Sequence, residues 1–362
     1  MKPAQPKPHI LRRRLLLILF GTTVGLVGAE AVLQILGVEV RTSRLDRDPV
    51  LGWRNRPGWR GPVFSINSRG FLGAEFAAQK PPGTARIVCL GDSCTAGDLL
   101  PSFDDTYPRQ LEQMLTKAHP TRPVEVINAG VGGYSSYQGR LWLEREILRY
   151  EPDLVAIYFG WNDHWPARLA GSDKEASGSR SDRLRAWLSW CKLLQLGIKA
   201  YHAVRGTDLL PTTEGGAPGG ERSGRPPRVS EEDYAANLRA MVRAIKARGG
   251  EAVLVTAPNY LELVPSDRRP IPQGFSGDAE VESLIELHWE YNDMARRVAH
   301  EEGACLVDLV TDFVHVPRPA ALFWAPPNDF IHLSREGYWR LAHAIGTGPA
   351  MARAMQKAAA RR

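Results

Sequence analysis

The spacing of hydrophobic positions changes several times along this chain, and each change marks an element. Near the N-terminus residues 15–36 are almost uniformly apolar, with the unbroken part at 15–29 and the polar Glu30 and Gln34 interrupting the rest. That run is long enough to approach a membrane span. From residue 84 onward, short apolar runs alternate with stretches of helical spacing. Segments 86–90, 124–128, 153–159, 252–256 and 305–309 read as strands. Between them Tyr107, Leu111, Met114, Leu115 and Ala118 form one helical stripe, and a second helix falls around 138–150. Tyr234, Leu238, Met241, Val242 and Ile245 form a third stripe, with Ser230 placed to cap it and Asp233 at the third helical position. A long helix is expected near 279–302, and Tyr338, Leu341, Ala342 and Ile345 give a final one after Ser334. Strands alternating with helices in this way predict an α/β fold with a central parallel sheet covered on both faces.

Two stretches lack such a period. Residues 41–83 are irregular and rich in Gly, Pro, Arg and Trp, with short hairpin pieces such as 64–67 turning at 68–70. The second is an insertion, 164–229, which holds one amphipathic stripe (Leu184, Trp187, Leu188, Cys191, Leu194) and then a Gly/Pro-rich run, 206–229, that reads as disordered. The expected organisation is a basic tail (1–14), a transmembrane signal anchor or signal peptide (15–38), a juxtamembrane segment (39–83) and one catalytic domain (84–362). The length of 362 residues suits one such domain with appendages better than two.

Charge changes the picture less than the total suggests. The formal net charge is +6, but Lys2, Lys7 and Arg12 to Arg14 crowd the first fourteen residues and Arg353, Lys357, Arg361 and Arg362 the last ten, leaving the intervening chain net negative. Nucleic-acid binding is therefore not expected. The arginines before the apolar run place that end in the cytoplasm and send the rest across. A retained anchor is the leading expectation; a cleaved signal peptide is the alternative, since Ala29-Glu30-Ala31 resembles a small-x-small cleavage site. Either reading places the catalytic part outside the cytoplasmic membrane. The four cysteines have no metal or disulfide spacing, and Cys89 and Cys305 fall within apolar runs where cysteine is usually a small buried hydrophobe.

The chemistry-bearing residues fall where an open parallel sheet binds ligands, beyond the carboxyl ends of its strands. Gly91-Asp92-Ser93 follows the first strand, Asn128 to Gly133 the second, Gly160-Trp161-Asn162-Asp163 the third, and Asn328 to His332 lies before the last helix. A serine hydroxyl needs a base to become nucleophilic, and an imidazole steadied by a carboxylate is suited to the task. Ser93, His332 and Asp329 are candidates for those roles, with Asp329 and His332 close enough to share one tight turn. Backbone N–H groups at Ser93 and in the glycine loop, with the Asn162 amide, would supply an oxyanion site. Cys94 is a rival nucleophile, more simply read as packing behind the turn. Asp163 reads as ordering its loop, and His164 and His315 as packed or solvated. The tryptophans at 161, 165, 187 and 190 suit either an acyl or sugar platform or a lid.

Together these residues resemble the SGNH/GDSL hydrolase family. The blocks are Gly91-Asp92-Ser93-Cys94 (cysteine where leucine often stands), Asn128-x-Gly130-x-x-Gly133, Gly160-x-Asn162-Asp163 and Asp329-x-x-His332, over about residues 86–350. The resemblance implies a flavodoxin-like three-layer α/β/α sandwich and no metal or cofactor. It also implies Ser93, Asp329 and His332 as the catalytic set and Ser93, Gly133 and Asn162 as oxyanion donors, Gly133 being preferred to Gly130. The activity implied is ester hydrolysis, as an esterase, lipase, thioesterase or carbohydrate deacetylase. The substrate expected is an acylated carbohydrate, lipid or small ester, met outside the cytoplasm by an enzyme held at the membrane through its N-terminal helix. An O-acyltransferase for a surface glycan would use the same residues. A non-catalytic binding protein on the same scaffold would not need them intact.

Overall fold

The computed structural model describes residues 8–38, 44–167, 172–176, 188, 190–205 and 226–361. An apolar helix, α1 (Pro8–Ile35), is followed by a small antiparallel hairpin, β1 (Leu45–Asp48) and β2 (Gly52–Asn55). Then come β3 (Ala85–Gly91), α2 (Ser93–Ala96), α3 (Tyr107–Ala118), β4 (Val124–Gly130), α4 (Ser136–Arg145) and β5 (Leu154–Tyr158). The insertion contributes α5 (Asp173–Ala176) and α6 (Lys192–Arg205). After it follow α7 (Glu231–Ala247), β6 (Glu251–Val255), α8 (Asp278–Glu301), β7 (Cys305–Val307) and α9 (Leu309–Val314). A second hairpin, β8 (Phe323–Ala325) and β9 (Asp329–Leu333), precedes α10 (Arg335–Thr347) and α11 (Pro349–Ala360).

The main sheet is parallel throughout, in the order β4-β3-β5-β6-β7. That is the flavodoxin-like arrangement, with β3 between β4 and β5 and a switch point between β3 and β5. The residues of β3 are all buried, and alternate ones feed two separate cores. Ala85, Ile87 and Cys89 pack with α3, α10 and α11, whereas Val88 and Leu90 pack with α4, α7 and α8. Two faces buried under helices make three layers, as the alternation of strand and helix patterns predicts.

The sequence boundaries shift at a few points for local reasons. Strand β7 stops at Val307 because Asp308 caps α9, accepting from the Thr311 N–H. The chain does not finish with the helix after Ser334; Pro349 starts α11, whose Ala350, Met351, Ala354, Met355 and Ala358 stripe is buried against the sheet. Arg228 and Val229, assigned above to the disordered run 206–229, are buried and form the outgoing side of a ribbon that closes the insertion. Ala167 N donates to Pro226 O, Arg228 N to Trp165 O, and Val229 N to Asp163 O. The remainder of that run, 206–225, lies outside the described residues, as do Leu184 and Trp187 of the insertion's stripe.

The irregular segment before β3 is tied to the carboxyl edge of the sheet. Asn55 Nδ2 donates to Gly130 O (2.9 Å), Gln138 Nε2 to Leu51 O (2.6 Å), and Leu72 N to Asn128 O (3.1 Å). Arg44 pairs with Asp98. Residues 44–75 thus pack against the edge that carries the sequence-predicted site.

Candidate active site

Ser93 opens α2, a single helical turn directly beyond β3. Its neighbour Asp92 is the N-cap, with Oδ1 accepting from Cys94 N (2.8 Å). The turn fits against β4 only because residue 130 is glycine: a Cβ there would lie 2.2 Å from the backbone nitrogen of Ala96. Asp329 and His332 arrive from the opposite end of the domain, on β9 of the second hairpin rather than on a bare loop. The Asp329 carboxylate curls back on its own strand, accepting from Ile331 N (3.2 Å) and His332 N (2.9 Å). This holds two side chains three residues apart on the same side.

The structure brings these three residues together. His332 Nε2 lies 2.9 Å from Ser93 Oγ, and His332 Nδ1 lies 2.9 Å and 3.1 Å from the two Asp329 oxygens. Both the imidazole (21% exposed) and the carboxylate (20%) keep some contact with solvent. Burial pushes the His332 pKa down, but the hydrogen bond and charge of Asp329, helped by Asp92 and Asp98, outweigh it and leave a net rise from 6.5. Burial acts upward on Asp329, and its bond to His332 with the two backbone N–H bonds reverses that to a net lowering. The pair thus favours an ionised Asp329 beside an imidazole that holds its proton more tightly than a free one.

The predicted oxyanion donors converge on the same edge. Val131 N donates to Gly91 O (3.1 Å), setting the loop after β4 beside the Ser93 turn. Of the two glycines considered, Gly130 has its N–H engaged by Asn128 Oδ1 (2.9 Å), whereas Gly133 has a left-handed φ of 78° that favours glycine. Asn162 Nδ2 donates to Asp92 Oδ2 (2.9 Å), which fixes the amide and leaves its second N–H for another acceptor. Burial raises the Asp92 pKa to about 6, although the Cys94 and Asn162 bonds and the His332 charge oppose that rise.

Sequence reasoning missed the groups that hold this loop. Trp53 Nε1 donates to Gly132 O (3.0 Å), and Arg228 Nη1 donates to Gly133 O (2.8 Å). Arg228 is itself tied to Asp173 and Gln138 and lies over the Trp53 ring. No motif announces either residue, since one lies before the domain and the other in a Gly/Pro-rich run. The rival candidates sit elsewhere or are inert. Cys94 is 2% exposed, and burial with the Asp92 and Asp329 charges keeps its thiol protonated. Asp163 points away, accepting from Ser136 N (2.8 Å). His164 is buried against His288 (3.0 Å), and His315 is exposed beyond α9. Of the tryptophans, Trp161 stacks on His288 and Trp190 lies exposed in the insertion. Among the described residues no group of three or more His, Cys, Asp or Glu could hold a metal ion.

A parallel sheet with a serine on its first turn, an imidazole on that oxygen and a carboxylate behind it is the architecture of a serine hydrolase. The chain matches the GDSL-like Lipase/Acylhydrolase family over residues 89–340 and belongs to it; it is an ester-hydrolysing enzyme. No curated protein matches it. Among solved structures it is similar to a lipase/acylhydrolase from Enterococcus faecalis (20% identity, 72% of this chain and 93% of that one, TM-score 0.44). It is also similar to the acetyl xylan esterase AlAXEase (17%, 72% and 97%, TM-score 0.42). A third is Axe2, an acetylxylan esterase from Geobacillus stearothermophilus (17%, 72% and 92%, TM-score 0.43).

Proposed function

We propose that the protein is an extracytoplasmic, membrane-anchored serine esterase that works through an acyl-Ser93 intermediate. His332 Nε2 takes the Ser93 proton as Oγ attacks the ester carbonyl, and Asp329 balances the imidazolium. The developing oxyanion is received by the N–H groups of Ser93 and Gly133 and by the Asn162 amide, each typically worth about 3 kcal/mol in the transition state. His332 returns the proton to the departing alcohol. It then deprotonates a water that releases the acid and restores Ser93.

The observation that carries this reading is the continuous set of contacts from Ser93 Oγ through His332 to Asp329. A fluorophosphonate should label the enzyme at Ser93, and Ser93→Ala should abolish both labelling and turnover of a short activated ester. Undiminished turnover in that variant would refute the mechanism. Supplying glycan acceptors and asking whether acyl groups reach water or sugar separates hydrolysis from transfer.

Helix α1 supports the anchor. The most apolar 18-residue window of its segment 12–35 has a mean hydropathy of 2.0, and none of that window is buried. At 1.5 Å per residue, 24 residues extend about 36 Å, enough to cross a hydrocarbon core of about 30 Å. Arg12 to Arg14 at its start favour a cytoplasmic N-terminus, with the hydrolase on the far side.

A further inference from the structure

The two polar residues that interrupt α1 have defined partners. Glu30 Oε1 accepts from Lys192 N (2.9 Å), and Oε2 from Leu193 N (2.9 Å) and Cys191 Sγ (3.4 Å), so its carboxylate caps α6. Gln34 Nε2 donates to Trp190 O (3.0 Å), and Lys192 Nζ returns a bond to Leu33 O (3.0 Å). The insertion helix is thereby clamped to the distal end of α1.

Depth follows from chain geometry. With Arg14 at the inner boundary, Glu30 lies sixteen residues further along, about 24 Å, near the outer limit of a core of about 30 Å. Residues 191–193, bonded to Glu30, share that depth. Beyond them α6 exposes Leu194, Ile198, Tyr201 and Val204, the last at 87%, and Trp190 just before the helix is 70% exposed. An apolar face of this kind, starting at the lipid boundary and continuous with the exposed apolar surface of α1, is chemically matched to acyl chains.

We propose that α6 is a second membrane contact, an interfacial helix embedded in the outer leaflet beside α1, and that the pair turns the Ser93 edge of the sheet toward the bilayer. The proposal rests on the anchor reading above. Both connections to the membrane elements leave from that edge. The insertion rises from the ribbon next to Asn162, and β2 packs on the Gly130 to Gly132 loop. Residues 38 and 44 are joined by six peptide links, which span at most about 21 Å. The substrate class this geometry suits is an acyl ester presented at a lipid surface.

The test uses the full chain in phospholipid vesicles with the photo-reactive amino acid p-benzoylphenylalanine placed at Phe20, Val204 or Trp339, an exposed position on α10. Lipid adducts are expected at 20 and 204 and not at 339. Adducts at 20 alone would overturn the α6 proposal while leaving the anchor intact. Adducts at neither 20 nor 204 would remove the anchor reading as well. Crosslinking of position 204 to another segment of this chain would make α6 a covered helix and also overturn the proposal. In a second measurement, Val204→Glu with Tyr201→Glu should leave hydrolysis of a soluble ester unchanged and lower that of a vesicle-borne ester about ten-fold. Equal activity on both would refute the orientation.

Discussion

Replacing Trp53 with phenylalanine tests whether the hairpin before the family's region helps build the oxyanion site. The indole Nε1–H holds Gly132 O at 3.0 Å. Because a trans peptide sets its C=O and N–H on opposite sides, fixing that carbonyl also fixes the direction of the Gly133 N–H. Phenylalanine keeps an aromatic ring for the edge contact with Tyr134, whose hydroxyl donates to Trp53 O whatever the side chain. The donor is removed, together with the second ring of the indole on which Arg228 lies. A neutral hydrogen bond is worth about 1 kcal/mol net, and the same amount taken from the preference for the correct peptide orientation is about five-fold in rate. Complete loss of an oxyanion donor costs about 10²–10³ in kcat. Trp53→Phe should therefore lower kcat by about three- to ten-fold with KM nearly unchanged, since the peptide is needed in the transition state rather than for ground-state binding. The assay is steady-state turnover of a short activated ester, with the rate of fluorophosphonate labelling as a second readout and thermal melting to establish that the variant is folded. Unaltered kcat in a folded variant would refute the reasoning. So would a raised KM with kcat intact, because that pattern belongs to a binding contact.

The remaining predictions concern charge. The proposed mechanism needs neutral His332, whose pKa is raised, so kcat/KM should climb with pH through a limb lying above 6.5. Asp329→Asn removes the charge, and with it the charge-assisted bond, responsible for the rise; it should move that limb down and lower kcat by about 10³–10⁴, and an unmoved limb would detach Asp329 from His332. Burial raises Asp163 to a pKa of about 7, against about 3.9 in an unfolded chain. The folded state therefore holds this proton more tightly, and the group's effect on stability worsens as pH rises from 4 through 7. Asp163→Asn should gain on the parent by about 2.6 kcal/mol between pH 5 and pH 8, read from denaturant unfolding at each pH. A pH-independent difference would show that the carboxyl titrates normally.

Most of the fold was legible because its signals are local. Five apolar runs became five parallel strands, and the stripes at Tyr107, Tyr234 and Tyr338 became helices that bury those residues. The C-terminal α11 carried an equally regular stripe, from Ala350 to Ala358, but its alanines and methionines give weaker contrast than leucine and isoleucine. The residues proposed for the site were legible for a different reason. Ser93, Gly133, Asn162 and Asp329 with His332 each follow a strand or precede a helix in a short block, so order along the chain suffices to nominate them.

What the sequence did not disclose are interactions that depend on segments distant in the chain coming to lie side by side. Trp53 and Arg228 are 175 positions apart, yet they hold adjacent carbonyls of one loop, and neither belongs to a local pattern. Arg228 looks, in sequence, like a charge in a flexible run. Its burial is satisfied by Asp173, Gln138 and Gly133, three acceptors that only the folded ribbon assembles. Glu30 is the same case. Read along the helix it weakens an apolar run, but on the proposed anchor reading a carboxylate near the lipid boundary is costly only while it lacks donors. The amides of Lys192 and Leu193 supply them. A polar residue that spoils a local pattern is thus worth following to its partner, because satisfying it constrains where a remote segment must sit.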